Sequence, residues 1–172
     1  LQFFSTGILN AIELHRPELL GSYRDMVRSS FSLNNGIFRV TTVMLLAPVC
    51  EELVFRGISL SSSRRAFTCR HSDAIAILLS ALLFALYHGN LVQFCYALPI
   101  GILLALLATW TSSLLPSILL HITINVSSYF TGMLPFALSH TGCILATGIT
   151  SAAGFTALYL LLRRSGRSHK VS

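Results

Sequence analysis

From Ala74 to Leu162, opening AIAILLSALLFALYHGN and closing AAGFTALYLLL, the chain carries no Asp, Glu, Lys or Arg. That run is 89 residues long in a chain of 172. A soluble domain has about a quarter of its residues charged; here 10% of the chain is charged and 53% is hydrophobic. Unpaired charge costs several kcal/mol in hydrocarbon, so a charge-free run of this length is what a helical membrane bundle requires. The pattern argues against a transmembrane β-barrel, because its strands alternate polar and apolar residues and these runs are apolar on every face. The expected fold is therefore all-α: a multi-pass transmembrane bundle.

Working outward, spans of about 20 apolar residues, each about 30 Å long as a helix, mark the crossings. Five are expected, near 40–60, 74–87, 91–110, 114–131 and 143–162. Asn34-Asn35-Gly36 precedes the first as a turn. Pro99 and Gly101 suggest a bend in the third, and Pro116 opens the fourth in its first turn. The fifth stops at Arg163-Arg164. Residues 1–14 read as the end of an earlier span. Segment 16–39 holds Arg16, Glu18, Arg24, Asp25, Arg28 and Arg39 and reads as a polar or interfacial connection. No repeat or low-complexity linker interrupts the chain, so one domain is expected. Position 1 is Leu, not Met, and residues 1–12 lack the basic start and cleavage site of a secretory signal. Further helices N-terminal to this chain are expected.

The net charge of +6 does not require a nucleic-acid partner. Arg64, Arg65 and Arg70 sit in one connection, and Arg163, Arg164, Arg167 and Lys170 in the tail. With five spans these two segments fall on one side, which the positive-inside rule makes cytosolic. Segment 16–39 resists this scheme, because it places four Arg on the other side. Cys50, Cys69, Cys95 and Cys143 form no CxxC pair and read as small apolar packing residues.

Between Arg39 and Arg64 the only charged residues are Glu51, Glu52 and Arg56, all in mid-span. Ionisable residues there indicate function. Glu52 and Arg56, at i and i+4, are neighbours on one helix face and are expected to pair. Glu51 points about 100° away and remains the freer carboxylate. The charge-free region adds His88 at the end of the second span, one turn after Phe84. It also adds His121 and Asn125, one turn apart on the fourth. Each needs a polar partner in lipid, and one shared pocket satisfies them all. His15, His71, His140 and His169 lie in polar or interfacial segments and are not expected to take part.

The chemistry open to this set is narrow. No Ser-His-Asp arrangement lies within the spans, and Asp is absent from all of them, which excludes an aspartyl dyad. Two options remain. In one, Glu51 is a general base that activates water, His121 and Asn125 donate to the developing oxyanion, and His88 holds the water or protonates the leaving amine. In the other, His88, His121 and a Glu hold zinc. A proton-coupled transporter is a rival reading, because the same residue types build one; the lack of a repeat weighs against it.

Glu51-Glu52-Leu53-Val54-Phe55-Arg56-Gly57 matches Glu-Glu-x-x-x-Arg, Phe84 to His88 matches Phe-x-x-x-His, and His121 to Asn125 matches His-x-x-x-Asn. In this order, on successive membrane helices, the motifs resemble those of the CAAX-processing and bacteriocin-processing intramembrane proteases, the CPBP or Abi type. The resemblance covers about residues 45–130. It implies a multi-pass α-helical bundle and peptide-bond hydrolysis of a membrane-bound or lipidated substrate: a prenylated protein in eukaryotic members, more varied substrates in prokaryotic ones. It implies Glu51 as the water-activating base, Glu52 and Arg56 as its supporting pair, and His88, His121 and Asn125 as the rest of the site. The implied mechanism is metal-free, with zinc on His88, His121 and Glu51 as the alternative. A non-catalytic scaffold or immunity protein on the same fold is the alternative function. On this reading residues 1–39 are a partial span and connection, 40–162 the protease core and 163–172 a basic cytosolic tail.

Overall fold

A computed structural model describes residues 2–31 and 36–133. The expected fifth span, the basic tail, most of loop 132–142, and Asn34-Asn35 of the expected turn lie outside the described residues, as do Cys143, His140 and His169. Within the described residues all regular structure is helical: α1 (Gln2–His15), α2 (Glu18–Phe31), α3 (Gly36–Thr41), α4 (Ala47–Glu52), α5 (Ser61–Ala66), α6 (Ser72–Tyr87), α7 (Leu91–Thr111) and α8 (Leu115–Met133). The all-α expectation is met. Of these helices, α7 is long and apolar enough to cross a bilayer; Ser72–Tyr87 and Leu115–Ser128 are apolar but shorter.

One expectation needs correction. The first span is not a uniform α-helix. Thr42–Leu46 joins α3 to α4 as a π-helical segment, and Leu53–Leu60 joins α4 to α5 as a second one. Pro48 accounts for the first. A proline within a helix has no N–H to donate, and its ring crowds the carbonyl one turn earlier. The backbone widens ahead of it, so that the Ala47 N–H bonds to the Thr42 carbonyl, five residues back. The Val43 carbonyl thereby loses Ala47 as a partner, and Pro48, five residues on, has nothing to give it. Asn125 Nδ2 on α8 donates to that carbonyl instead, at 3.1 Å.

Residues 16–39, expected as a polar or interfacial connection, contain the helix Glu18–Phe31. Pro17 sits at its start, where a missing N–H costs nothing, and Glu18 complements the positive end of the helix dipole in the first turn. Leu20 is buried, and Tyr23 packs edge-to-face on Tyr96 of α7 with centroids 6.3 Å apart. Both α1 and α2 lie against α7.

The bundle that carries the site is built on α6 and α7, the closest-packed pair. Small residues let them approach: Ala76, Ala81 and Ala85 on α6 face Ala97, Gly101 and Ala105 on α7, all buried. The helix runs on through Pro99 and Gly101. Helix α6 packs also on the second π segment, and α8 on α4, α7 and the first π segment. The turn between α6 and α7 is written in His88-Gly89-Asn90. Gly89 takes a positive φ of 64°, a conformation that glycine adopts freely. Asn90 then caps α7, its Oδ1 accepting from the N–H groups of Val92 at 2.9 Å and Gln93 at 3.2 Å.

Glu52, Arg56, Ser80, Ser117 and His121 are buried, while Leu78, Leu82, Leu83 and Leu86 of α6 and Ile58, Leu115 and Leu119 are exposed. Cys50 and Cys95, expected as packing residues, lie on exposed faces as free thiols.

Candidate active site

Glu52 and Arg56 lie at the junction of α4 with the second π segment. Arg56 Nη1 donates to Glu52 Oε1 at 2.9 Å, with both side chains fully buried. The guanidinium reaches across to α7, where Nη2 donates to the Gly101 carbonyl at 3.1 Å. The expected pair is formed, and Arg56 ties two helices together through it.

His121 approaches the same carboxylate from α8. Its Nδ1 lies 2.9 Å from Glu52 Oε1, and its Nε2 lies 3.7 Å from Glu51 Oε2. A carboxylate only accepts, so Nδ1 carries the proton and donates to Glu52. Nε2 is then the reactive nitrogen: a lone pair in neutral His121, an N–H in the cation. Glu51 is the less enclosed of the two acids, with 17% of its side chain exposed, against none for Glu52. Glu51 interacts electrostatically with His121, His88, Glu52 and Arg56.

His88 is fixed at the end of α6. Its Nδ1 lies 2.8 Å from the Phe84 carbonyl, one turn earlier. A carbonyl also only accepts, so His88 holds its proton on Nδ1 and presents Nε2, as His121 does. The two imidazoles share a neighbour in the Phe84 ring, whose centroid is 4.8 Å from that of His88 and 5.5 Å from that of His121. Asn125 lies one turn beyond His121 on α8 and is turned to Val43, where one of its two amide N–H groups is already engaged.

Glu51, Glu52, Arg56 and His121 are thus brought together directly, His88 joins them through Phe84, and Asn125 is anchored on the first π segment. Three features had no place in the sequence reading. Glu52 serves His121 as well as Arg56. Ser80 of α6 donates to the Phe55 carbonyl at 2.7 Å and ties α6 to the second π segment. Gly101, read as a bend, supplies a carbonyl to Arg56. Only the position of Ser80, one turn before Phe84, hinted at a role.

Four helical stretches thus bring a glutamate pair, an arginine and two histidines to one locus. The family model described as Rce1-like, type II CAAX prenyl endopeptidase Rce1-like, matches residues 33–127. That is more than half of the chain, and the chain belongs to this family. Membership makes it a protease of a membrane-embedded family. Comparison with curated proteins and with solved structures gives no match.

Proposed function

We propose that this chain is an intramembrane endopeptidase that hydrolyses a peptide bond of a membrane-associated, lipidated substrate by glutamate-activated water. One observation carries the reading: Glu51 Oε2 stands 3.7 Å from His121 Nε2 while Glu52 holds Nδ1 of the same ring. Counting Glu52 against Arg56, the locus is neutral when Glu51 is ionised and His121 carries its second proton. In that state a carboxylate base and an N–H donor stand side by side. Glu51 takes a proton from water as the water oxygen bonds to the carbonyl carbon. His121 Nε2–H, and the remaining amide N–H of Asn125, donate to the oxyanion that forms. Collapse of the tetrahedral intermediate breaks the C–N bond, and the amine leaves with a proton from Glu51 or through His88.

The membrane setting rests on the polarity of the helices. Leu78, Leu82, Leu83 and Leu86 of α6 face outward while Glu52 and Arg56 are buried, an arrangement a bilayer favours. We read the chain as multi-pass, with connection 61–73 and the tail in the cytosol. Nothing in this surface calls for a nucleic acid.

Zinc on His88, His121 and Glu51 fits less well. Among the described residues no three His, Cys, Asp or Glu side chains gather as a metal site requires, and the Arg56 cation lies beside the same acids. We therefore read hydrolysis as independent of a resident metal. The experiment is cleavage of a fluorogenic prenylated CAAX peptide by the purified chain in liposomes, with and without chelator. Cleavage that survives chelation is expected. Cleavage lost with the chelator and restored by zinc would overturn the metal-free mechanism, and no cleavage would overturn the substrate class.

A further inference from the structure

Phe84 lies at the centre of the polar locus although it carries no polar side-chain atom. Its ring is 2% exposed. It meets His88 and His121 nearly at right angles, with interplanar angles of 77° and 80°. The Arg56 guanidinium carbon lies 4.4 Å from the ring centroid, and Phe55 closes another side at 5.4 Å. A histidine rotates broadly about its outer torsion. The Nδ1 bonds to Glu52 and to the Phe84 carbonyl fix which nitrogen is protonated, but a single hydrogen bond leaves a ring free to swing about it. A perpendicular aromatic neighbour limits that swing, and one phenyl ring does so for both imidazoles.

The ring in turn has a seat. A Cβ at Gly101 would fall 3.0 Å from Phe84 Cδ1, 3.2 Å from Ala81 Cα and 3.3 Å from Ala81 Cβ. Any side chain there displaces the ring or parts α6 from α7. The Gly101 carbonyl meanwhile holds Arg56 in the position where it lies over the ring. We propose that Phe84, seated on Gly101, is the positioning residue that sets His88 and His121 relative to each other and to Glu51. The inference rests on the proteolytic reading above for its kinetic consequence, though not for its geometry.

The test uses the full chain and three variants. Phe84→Leu keeps an apolar side chain and removes the ring. Gly101→Ala keeps the ring and displaces it. Ala105→Val overpacks α7 one turn further on, in the separate cluster of Leu60, Ala76, Ile77 and Ala108. On the prenylated peptide, the first two should lose kcat by about a hundredfold with KM unchanged, the cost of a misplacement of about 1 Å. Ala105→Val should keep kcat even where its melting temperature falls as far. A second readout needs no substrate: imidazole proton–carbon NMR spectra of the chain in nanodiscs. Gly101→Ala should move the His88 and His121 signals, and Ala105→Val should leave them in place. Parental kcat in Phe84→Leu or Gly101→Ala, a loss equal in all three variants, or unmoved histidine signals in Gly101→Ala would overturn the proposal. If the parent cleaves no peptide, the proteolytic reading fails and the spectra decide on the positioning role alone. If Phe84→Leu does not fold, Gly101→Ala carries both readouts.

Discussion

Glu51 and Glu52 are chemically identical neighbours that their surroundings make unlike. Glu52 is sealed in, with Oε1 shared between Arg56 and His121 and Oε2 without a partner. Glu51 keeps an edge open. Glu51→Gln should leave the fold intact, because its contact with His121 Nε2 is long, at 3.7 Å, and open at one edge, and should abolish peptide cleavage, because an amide cannot take a proton from water. Glu52→Gln removes the counter-charge of a fully buried Arg56, a loss of roughly 3–5 kcal/mol. It also replaces the anionic acceptor of His121 Nδ1 with a neutral amide, so the variant should melt earlier and turn over more slowly even in its folded fraction. Thermal unfolding in detergent and kcat on the same samples check both. A Glu52→Gln chain as stable and active as the parent would show that the pair is not enclosed as described. Sequence spacing was enough to pair Glu52 with Arg56, because i and i+4 are neighbours on any helix. It could not show His121 on the same oxygen, since that contact depends on how closely α8 approaches α4.

Helix ends could be read more surely than helix interiors. His88-Gly89-Asn90 ends one helix and caps the next, and Pro17 and Pro116 open others, because these residues act through local backbone geometry. The π segments left no trace in the hydropathy pattern, since a hydrogen bond reaching five residues back instead of four changes no side chain. Pro48 was the available signal. Its consequence is measurable through the Val43 carbonyl, which Asn125 satisfies. Asn125→Ala should destabilise the chain by at most about 1–3 kcal/mol, the cost of an unpaired buried acceptor, because the Val43 carbonyl is only partly buried. In a Pro48→Ala background, an N–H five residues on becomes available to Val43, and the same substitution should cost less. A double-mutant cycle on unfolding free energy reads the difference, expected to be about 0.5–3 kcal/mol. Strict additivity would mean that the π segment does not depend on Pro48 or on Asn125.

On the scale of the whole molecule, charge placement is a statement about sidedness. The charge-free run made a bundle legible, but which face meets the cytosol depends on a handful of Arg residues that act during insertion. Arg64, Arg65 and Arg70 surround the α5–α6 connection, where Arg64 Nε pairs with Asp73 at 2.7 Å, both exposed. The acid contributes little to the rule, so the cluster still counts as positive. The four Arg of segment 16–39 pull the other way, yet α2 is a helix with one buried face lying against α7. We read α2 as an interfacial helix, which lies along the bilayer surface and does not cross it. The connection should therefore be cytosolic. Cys69, an exposed free thiol within it, reports this directly. In a chain with Cys50, Cys95 and Cys143 changed to Ser, a membrane-impermeant maleimide should label Cys69 in inside-out vesicles. In sealed cells it should label only after the membrane is opened. Labelling of intact cells would invert the topology and place Arg64, Arg65 and Arg70 outside. The basic stretch that follows the fifth expected span would then lie outside as well, because an even number of crossings separates the two.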